Sequence, residues 1–274
     1  MMQVKLAKQK RIVVAVLMAG ALSADASERI TVPAGAFQMG CSVGDDLCER
    51  DEGPTGGISV QVPAFELDVR EVTVAEYEAC LTRGDCERPK DHARNQYCNI
   101  GATTRLDHPV NCVDWQQALD YCAAKGGRLP YEAEWEKAAR AGSSSRYPWG
   151  QTVSCKQAIV DDGVTTGSVV GEPDGCGEDR TWSVGSRTPN ALGLYDMQGN
   201  AGEWMMNWYD RDGLQRYAGG DLKGPGQGRQ RIVRGGSWDE NVPNLRSSFR
   251  NVKPPVSGRA IYGSIGFRCA YDVK

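Results

Sequence analysis

Gly193-Leu194-Tyr195-Asp196-Met197-Gln198-Gly199-Asn200-Ala201-Gly202-Glu203-Trp204 decides how the rest of this chain is read. Taken alone, it is a glycine turn with two solvated acids, Asp196 and Glu203. The surrounding chain has the same character. Glycine accounts for 33 of 274 residues, about 12% against a usual ~7%, so much of the backbone belongs in turns and irregular loops where positive φ is free. Beyond Gly142 no convincing helix is visible, and strands there must be short, separated by glycine and proline turns. The glycine-dense stretch Gly219–Gly228 is short and reads as a surface loop, not a linker. No internal repeat is present. Apolar residues at 40% and charged residues at 24% exclude a disordered or fibrous chain.

Toward the N-terminus the local signals are stronger. Residues 65–70 (Phe-Glu-Leu-Asp-Val-Arg) alternate as a half-buried strand should. Thr73 and Glu76 form a capping box that opens a helix ending near Gly84. Asp114 caps a second helix, with Trp115, Ala118, Leu119 and Cys122 at helical spacing and Gly126 as its stop. Pro130 starts a third helix that runs to about Ala141. It carries Trp135, Ala138 and Ala139 on one face, with Glu132, Glu136 and Arg140 as i,i+4 neighbours on a solvated face. The class is α+β with much irregular structure.

Residues 1–26 read as a signal peptide. Lys5, Lys8, Lys10 and Arg11 precede an apolar run from Ile12 to Leu22, and Ala24-Asp25-Ala26 supplies a small-x-small cleavage site. The run is about 11 residues, against the ~20 a bilayer span needs, so no stable membrane anchor is expected. Its removal takes away four positive charges and one negative, leaving residues 27–274 as one domain of net charge −6. An acidic secreted or periplasmic protein is poorly suited to nucleic acid, which is held by clustered Lys and Arg. All ten cysteines lie between Cys41 and Cys269. An even set in an oxidising compartment points to disulfides. Without Cys-x-x-Cys or a histidine pair, the sequence argues against zinc.

The order of the motifs resembles the formylglycine-generating enzyme (sulfatase-modifying factor) family over roughly residues 29–271. The matching segments are residues 32–40 (Val-Pro-Ala-Gly-Ala-Phe-Gln-Met-Gly), 108–110 with Trp115, and 128–136 (Arg-Leu-Pro-Tyr-Glu-Ala-Glu-Trp-Glu). Residues 147–150, the 193–204 stretch, Arg234-Gly235-Gly236-Ser237-Trp238 and Gly266-Phe267-Arg268-Cys269-Ala270 complete the series. The resemblance implies a single α+β domain related to the C-type lectin fold, with helices packed on small antiparallel sheets. It also implies a disulfide from Cys122 to Cys269. Proximity suggests Cys41–Cys48, Cys80–Cys86, Cys98–Cys112 and Cys155–Cys176, a connectivity that sequence alone leaves open.

Enzymes of that family oxidise a sulfatase cysteine to formylglycine, using two cysteines shortly after Gly-Gly-Ser to bind Cu(I). Soft thiolates suit Cu(I). In this sequence no cysteine lies between Cys176 and Cys269, and in an ungapped register the two positions are Glu240 and Leu245. Copper is therefore not expected, and formylglycine generation is disfavoured. A related branch that holds iron through histidines in an added helical domain is not matched either, and His108 reads as a structural residue.

The resemblance further implies a calcium site formed by the Asp196 and Glu203 carboxylates and the Gly199 and Ala201 carbonyls, oxygen ligands of the kind calcium takes. It makes Ser237, Trp238, Glu240, Arg246 and Arg250 candidates for lining a pocket. Arginine forks and a tryptophan face suit a peptide, protein or small anionic ligand. In the alternative reading Arg246 and Arg250 bridge loops to carboxylates and Trp238 is core. Two functions follow: a ligand- or protein-binding module without copper, or an oxidase or maturation enzyme acting on a secreted peptide or natural product, with Glu240 as its acid/base group.

Overall fold

In a computed structural model, the structure describes residues 28–90, 93, 95–161, 176, 180–255 and 262–273. The signal segment 1–26 lies outside them. In chain order the elements are β1 (Arg29–Val32), β2 (Gly35–Met39), β3 (Ile58–Val62), β4 (Phe65–Asp68) and α1 (Val74–Arg83). There follow α2 (Trp115–Ala124), α3 (Glu132–Arg140), β5 (Gly202–Trp208), α4 (Gly213–Ala218) and β6 (Arg231–Arg234). β7 (Asn251–Lys253), β8 (Ile265–Gly266) and β9 (Ala270–Asp272) complete the series, with 3-10 turns at Arg50–Glu52 and Val242–Leu245.

The capping chemistry sets the helix starts. Glu76 N donates to Thr73 Oγ1 at 3.2 Å while Thr73 N donates to the Glu76 carboxylate at 2.8 Å, so two otherwise orphaned amides of α1 are satisfied. Gly84, at φ 79°, then ends it in the left-handed region that favours glycine. Asp114 accepts from Gln117 N at 2.9 Å to start α2.

Among the described residues the strands form three small sheets. One has the order β1-β4-β9, the second pairs β2 with β3, and the third has the order β7-β6-β5-β8. Pairing is antiparallel except between β5 and β8, which run parallel. Among the described residues, beside a smaller apolar cluster around Tyr147 and Leu245, two large ones fill the interior. One joins β1–β4 to α3 through Phe65, Leu67, Trp135 and Ala138. The other joins α1, α2 and β5 through Tyr77, Cys122, Trp204 and Phe267. The structure pairs Cys122 with Cys269, and the other eight cysteines as Cys41–Cys48, Cys80–Cys86, Cys98–Cys112 and Cys155–Cys176.

Two expectations are corrected. The charged face of α3 is not solvated: Glu132, Glu136 and Arg140 are all buried. They meet cations and carbonyls from remote segments, with Arg234 Nη2 on Glu136 and Arg140 Nη1 on Ser42 Oγ at 3.0 Å. There is also a helix beyond Gly142, namely α4, whose six residues are too few to show a helical period.

Candidate functional site

The loop from Asp196 to Glu203 is fixed by its backbone. Asp196 and Asn200 adopt φ of 54° and 60°, and Gly199 adopts 81°. A side chain at Gly199 would collide with the carbonyl oxygen of Ile159, so only glycine fits there. The same carbonyl accepts from Asn200 N at 2.8 Å, and Gly199 N donates to Gly235 O at 2.9 Å, which ties this loop to the Gly-Gly-Ser segment.

Beneath the loop lies a buried charge cluster. Glu203 accepts from Arg268 Nη2 at 2.7 Å and from Trp135 Nε1 at 2.8 Å. Glu71 accepts from Asn200 Nδ2 at 2.7 Å and from Ala201 N at 2.9 Å. Asp196 accepts from Gly185 N at 2.6 Å. Burial raises the Glu71 carboxyl well above the usual carboxylate range, and the charges of Asp196 and Glu203 raise it further. Burial likewise raises Asp196, against the pull of the Gly185 amide and Arg268. Three carboxylates thus face the guanidinium of Arg268, with Arg187 acting in addition on Asp196. Among the described residues, no three His, Cys, Asp or Glu side chains meet in metal-binding geometry. As placed, Glu203 serves Arg268 and Trp135, so a cation at this loop would need Glu203 to yield part of that contact.

The segment after Gly-Gly-Ser is largely interior. Ser237 is buried, and its Oγ accepts from Asp239 N at 3.4 Å. Trp238 is 5% exposed, stacks obliquely on Tyr97 with ring centres 5.1 Å apart, and donates from Nε1 to Gly263 O at 3.3 Å. Glu240 accepts from Asn251 Nδ2 at 2.7 Å, while its other oxygen, also hidden, makes no hydrogen bond. Burial raises the Glu240 carboxyl, against the nearby Asn244 amide, Lys253 and Asn251. Leu245 is fully buried among Tyr147, Ala158 and Val160.

Arg246 and Arg250 do not line a pocket with these residues. Arg246 forks onto Glu52 at 2.6 and 2.7 Å, and Arg250 forks onto Glu132 at 2.7 and 2.8 Å. Both are buried, at 2% and 6% exposure. Their donors are taken up by carboxylates and carbonyls, so the ligand-lining expectation is replaced by the loop-bridging one.

The pattern of the sulfatase-modifying factor enzyme 1-like domain matches residues 16–273. The chain belongs to that family. Among its relatives is the serine/threonine-protein kinase Pkn1 of Chlamydia trachomatis serovar L2, 34% identical over 265 residues that cover 90% of this chain and 39% of the kinase. The chain therefore spans about two fifths of the length of that relative. The formylglycine-generating enzyme of Mus musculus is 29% identical over 90% of this chain and 75% of its own length. The solved structure of PvdO from Pseudomonas aeruginosa superposes with a TM-score of 0.70 at 26% identity, covering 89% of this chain and 94% of PvdO.

Within this sulfatase-modifying factor domain, sequence reasoning missed Glu71 and Arg268 as the supports of the loop. Arg268 stands inside the Gly-Phe-Arg-Cys-Ala motif, so its position was visible although its partner was not. Glu71 precedes the α1 capping box and carries no signal of its own. The five disulfides account for all ten cysteines and require an oxidising compartment. Among the described residues no helix is long and apolar enough to cross a membrane.

Proposed function

We propose that this chain is a secreted or periplasmic sulfatase-modifying factor domain that works as a binding module for a peptide or protein and has no thiolate-bound copper. One observation carries the reading: every cysteine is held in a disulfide, so no thiolate is left for Cu(I). In an ungapped register Glu240 and the buried Leu245 fall at the two thiolate positions, and neither is a soft ligand. Of the expected ligand residues Ser237 and Trp238 are buried and back the segment from inside, so the partly exposed Glu240 is the one left to present a ligand face there. With Arg246 and Arg250 engaged by Glu52 and Glu132, the reason for an anionic ligand on that face falls away.

Calcium at the 196–203 loop is part of the proposal. Glu71, Asp196 and Glu203 outnumber the guanidiniums of Arg268 and Arg187, and their mutual repulsion raises Glu71, so the cluster has negative charge left to balance. A divalent ion bound by Asp196, Glu203 and the Gly199 and Ala201 carbonyls would balance it. Its contribution would be to hold the loop and, through it, the Gly-Gly-Ser segment.

A second reading is favoured by Glu240, whose raised carboxyl and unpartnered oxygen suit an acid/base group in a non-copper oxidase or maturation enzyme. Elemental analysis of the mature protein, with oxygen uptake on thiol and catechol peptides, separates the readings. The binding module contains neither copper nor iron and consumes no oxygen. Turnover that Glu240→Gln abolishes would establish the enzyme.

A further inference from the structure

Between the β1–β2 turn and the C-terminal end of α3 lies a cavity of about 420 Å³. Its walls include Ala36 and Phe37 of β2, Leu192, Lys137 and Arg140, and no acidic residue lines it. Phe37 and Leu192 are half-buried at the margin of the first apolar cluster, so one side of each faces the interior and the other is left to the cavity.

Lys137 fixes the polar end. Its Nζ donates to Pro33 O at 2.6 Å and to Gly35 O at 2.9 Å, which pins the ammonium against the turn. An ammonium has three donors, so one N–H remains. Burial lowers the Lys137 pKa, and no carboxylate counters the shift. The arginine in the same wall differs: Arg140 has Glu136 at 2.8 Å. Glu136 is itself shared with Arg234, so it supplies no spare negative charge. In a chain of net charge −3, this cavity carries uncompensated positive charge.

We propose that the cavity binds a small monocarboxylate with an aromatic or short alkyl body, the carboxylate accepting the third N–H of Lys137 and the body lying on Phe37 and Leu192. A single remaining donor and a single uncompensated charge match a monoanion. The volume falls in the lower part of the range for small-molecule sites, which are mostly apolar with a few placed polar groups. Glu240 does not line this cavity, so the site is separate from the face after Gly-Gly-Ser and does not depend on its function.

Calorimetric titration of the folded protein with benzoate and hexanoate, each beside its neutral amide, tests the proposal. At least one carboxylate binds saturably, its amide binds at least tenfold more weakly, and Lys137→Met weakens the carboxylate by a similar factor. Ala36→Trp fills the cavity from an exposed strand position, leaves Lys137 in place and abolishes binding. That variant and the amide comparison decide the matter even if Lys137→Met fails to fold. Equal binding of acid and amide, binding that survives Ala36→Trp, unchanged affinity in folded Lys137→Met, or no saturable binding of either carboxylate would overturn it.

Discussion

Glu132 of α3 holds Arg250 through two parallel hydrogen bonds of 2.7 and 2.8 Å, with both side chains shut away from solvent. Tyr217 OH also donates to Glu132 at 2.8 Å, and Arg250 reaches the carbonyls of Asp51 and Asp210. The pair therefore joins α3, α4, the Arg50–Glu52 turn and the segment entering β7. Removing one partner leaves the other buried with only a longer-range counter-charge, Arg234 at 3.8 Å for Glu132 or Asp51 at 3.6 Å for Arg250, which costs about 3–5 kcal/mol. Urea unfolding of Glu132→Gln and Arg250→Met should each show a loss of that size. The double variant Glu132→Leu/Arg250→Met should lose clearly less than the sum.

The same pair sets an acid limit. Burial alone would raise the Glu132 carboxyl, but Arg250 and then Arg234 outweigh it, and its pKa lies below the ordinary value. Between the folded and unfolded pKa values the unfolded chain binds more protons, so stability rises with pH in that window. The contribution is complete above the unfolded value, about 4.3, and is lost as pH falls through the folded one. Urea midpoints measured from pH 6 down to 3 should fall below about pH 4.3 in the natural chain, and part of that slope should be missing in Glu132→Gln.

Loop length ranks the disulfides. Cys122–Cys269 closes 147 residues and Cys80–Cys86 only 6. In the chain-entropy treatment these are worth about 5 and about 2 kcal/mol. Paired Cys→Ser variants compared by chemical unfolding should follow that order, and a larger loss from the short bridge would show that local packing dominates.

Much of the fold was legible because its signals are local. The Thr73–Glu76 and Asp114–Gln117 caps act across three residues, and four of the disulfides join near neighbours in sequence. The burial of Glu132, Glu136 and Arg140 was not legible. An i,i+4 charge pattern looks the same whether it meets water or, as here, Arg234 from 98 residues away. The site suffers the same limit. Glycine at 199 and the motif order mark the loop, yet Arg246 carries no local trace of its partner Glu52, 194 residues earlier. That distance is why the sequence left Arg246 and Arg250 open between lining a pocket and bridging loops, and only the fold shows their carboxylate partners.

Calcium gives a further test. If a divalent ion balances the Glu71, Asp196 and Glu203 cluster, millimolar calcium should raise the melting temperature of chelator-treated protein, and Glu203→Gln should remove the rise. Magnesium should do less, because it demands tighter octahedral geometry and gives up water reluctantly. An unchanged melting temperature would leave the cluster to the arginines Arg268 and Arg187 alone.

The proposal that this domain works without thiolate chemistry is tested most directly by counting thiols. Mature protein, unfolded in denaturant without reductant and titrated with a thiol reagent, should show no reactive thiol per chain, and ten after reduction. Two thiols per chain before reduction, lost on addition of Cu(I), would contradict the reading of this domain as a copper-free member of its family.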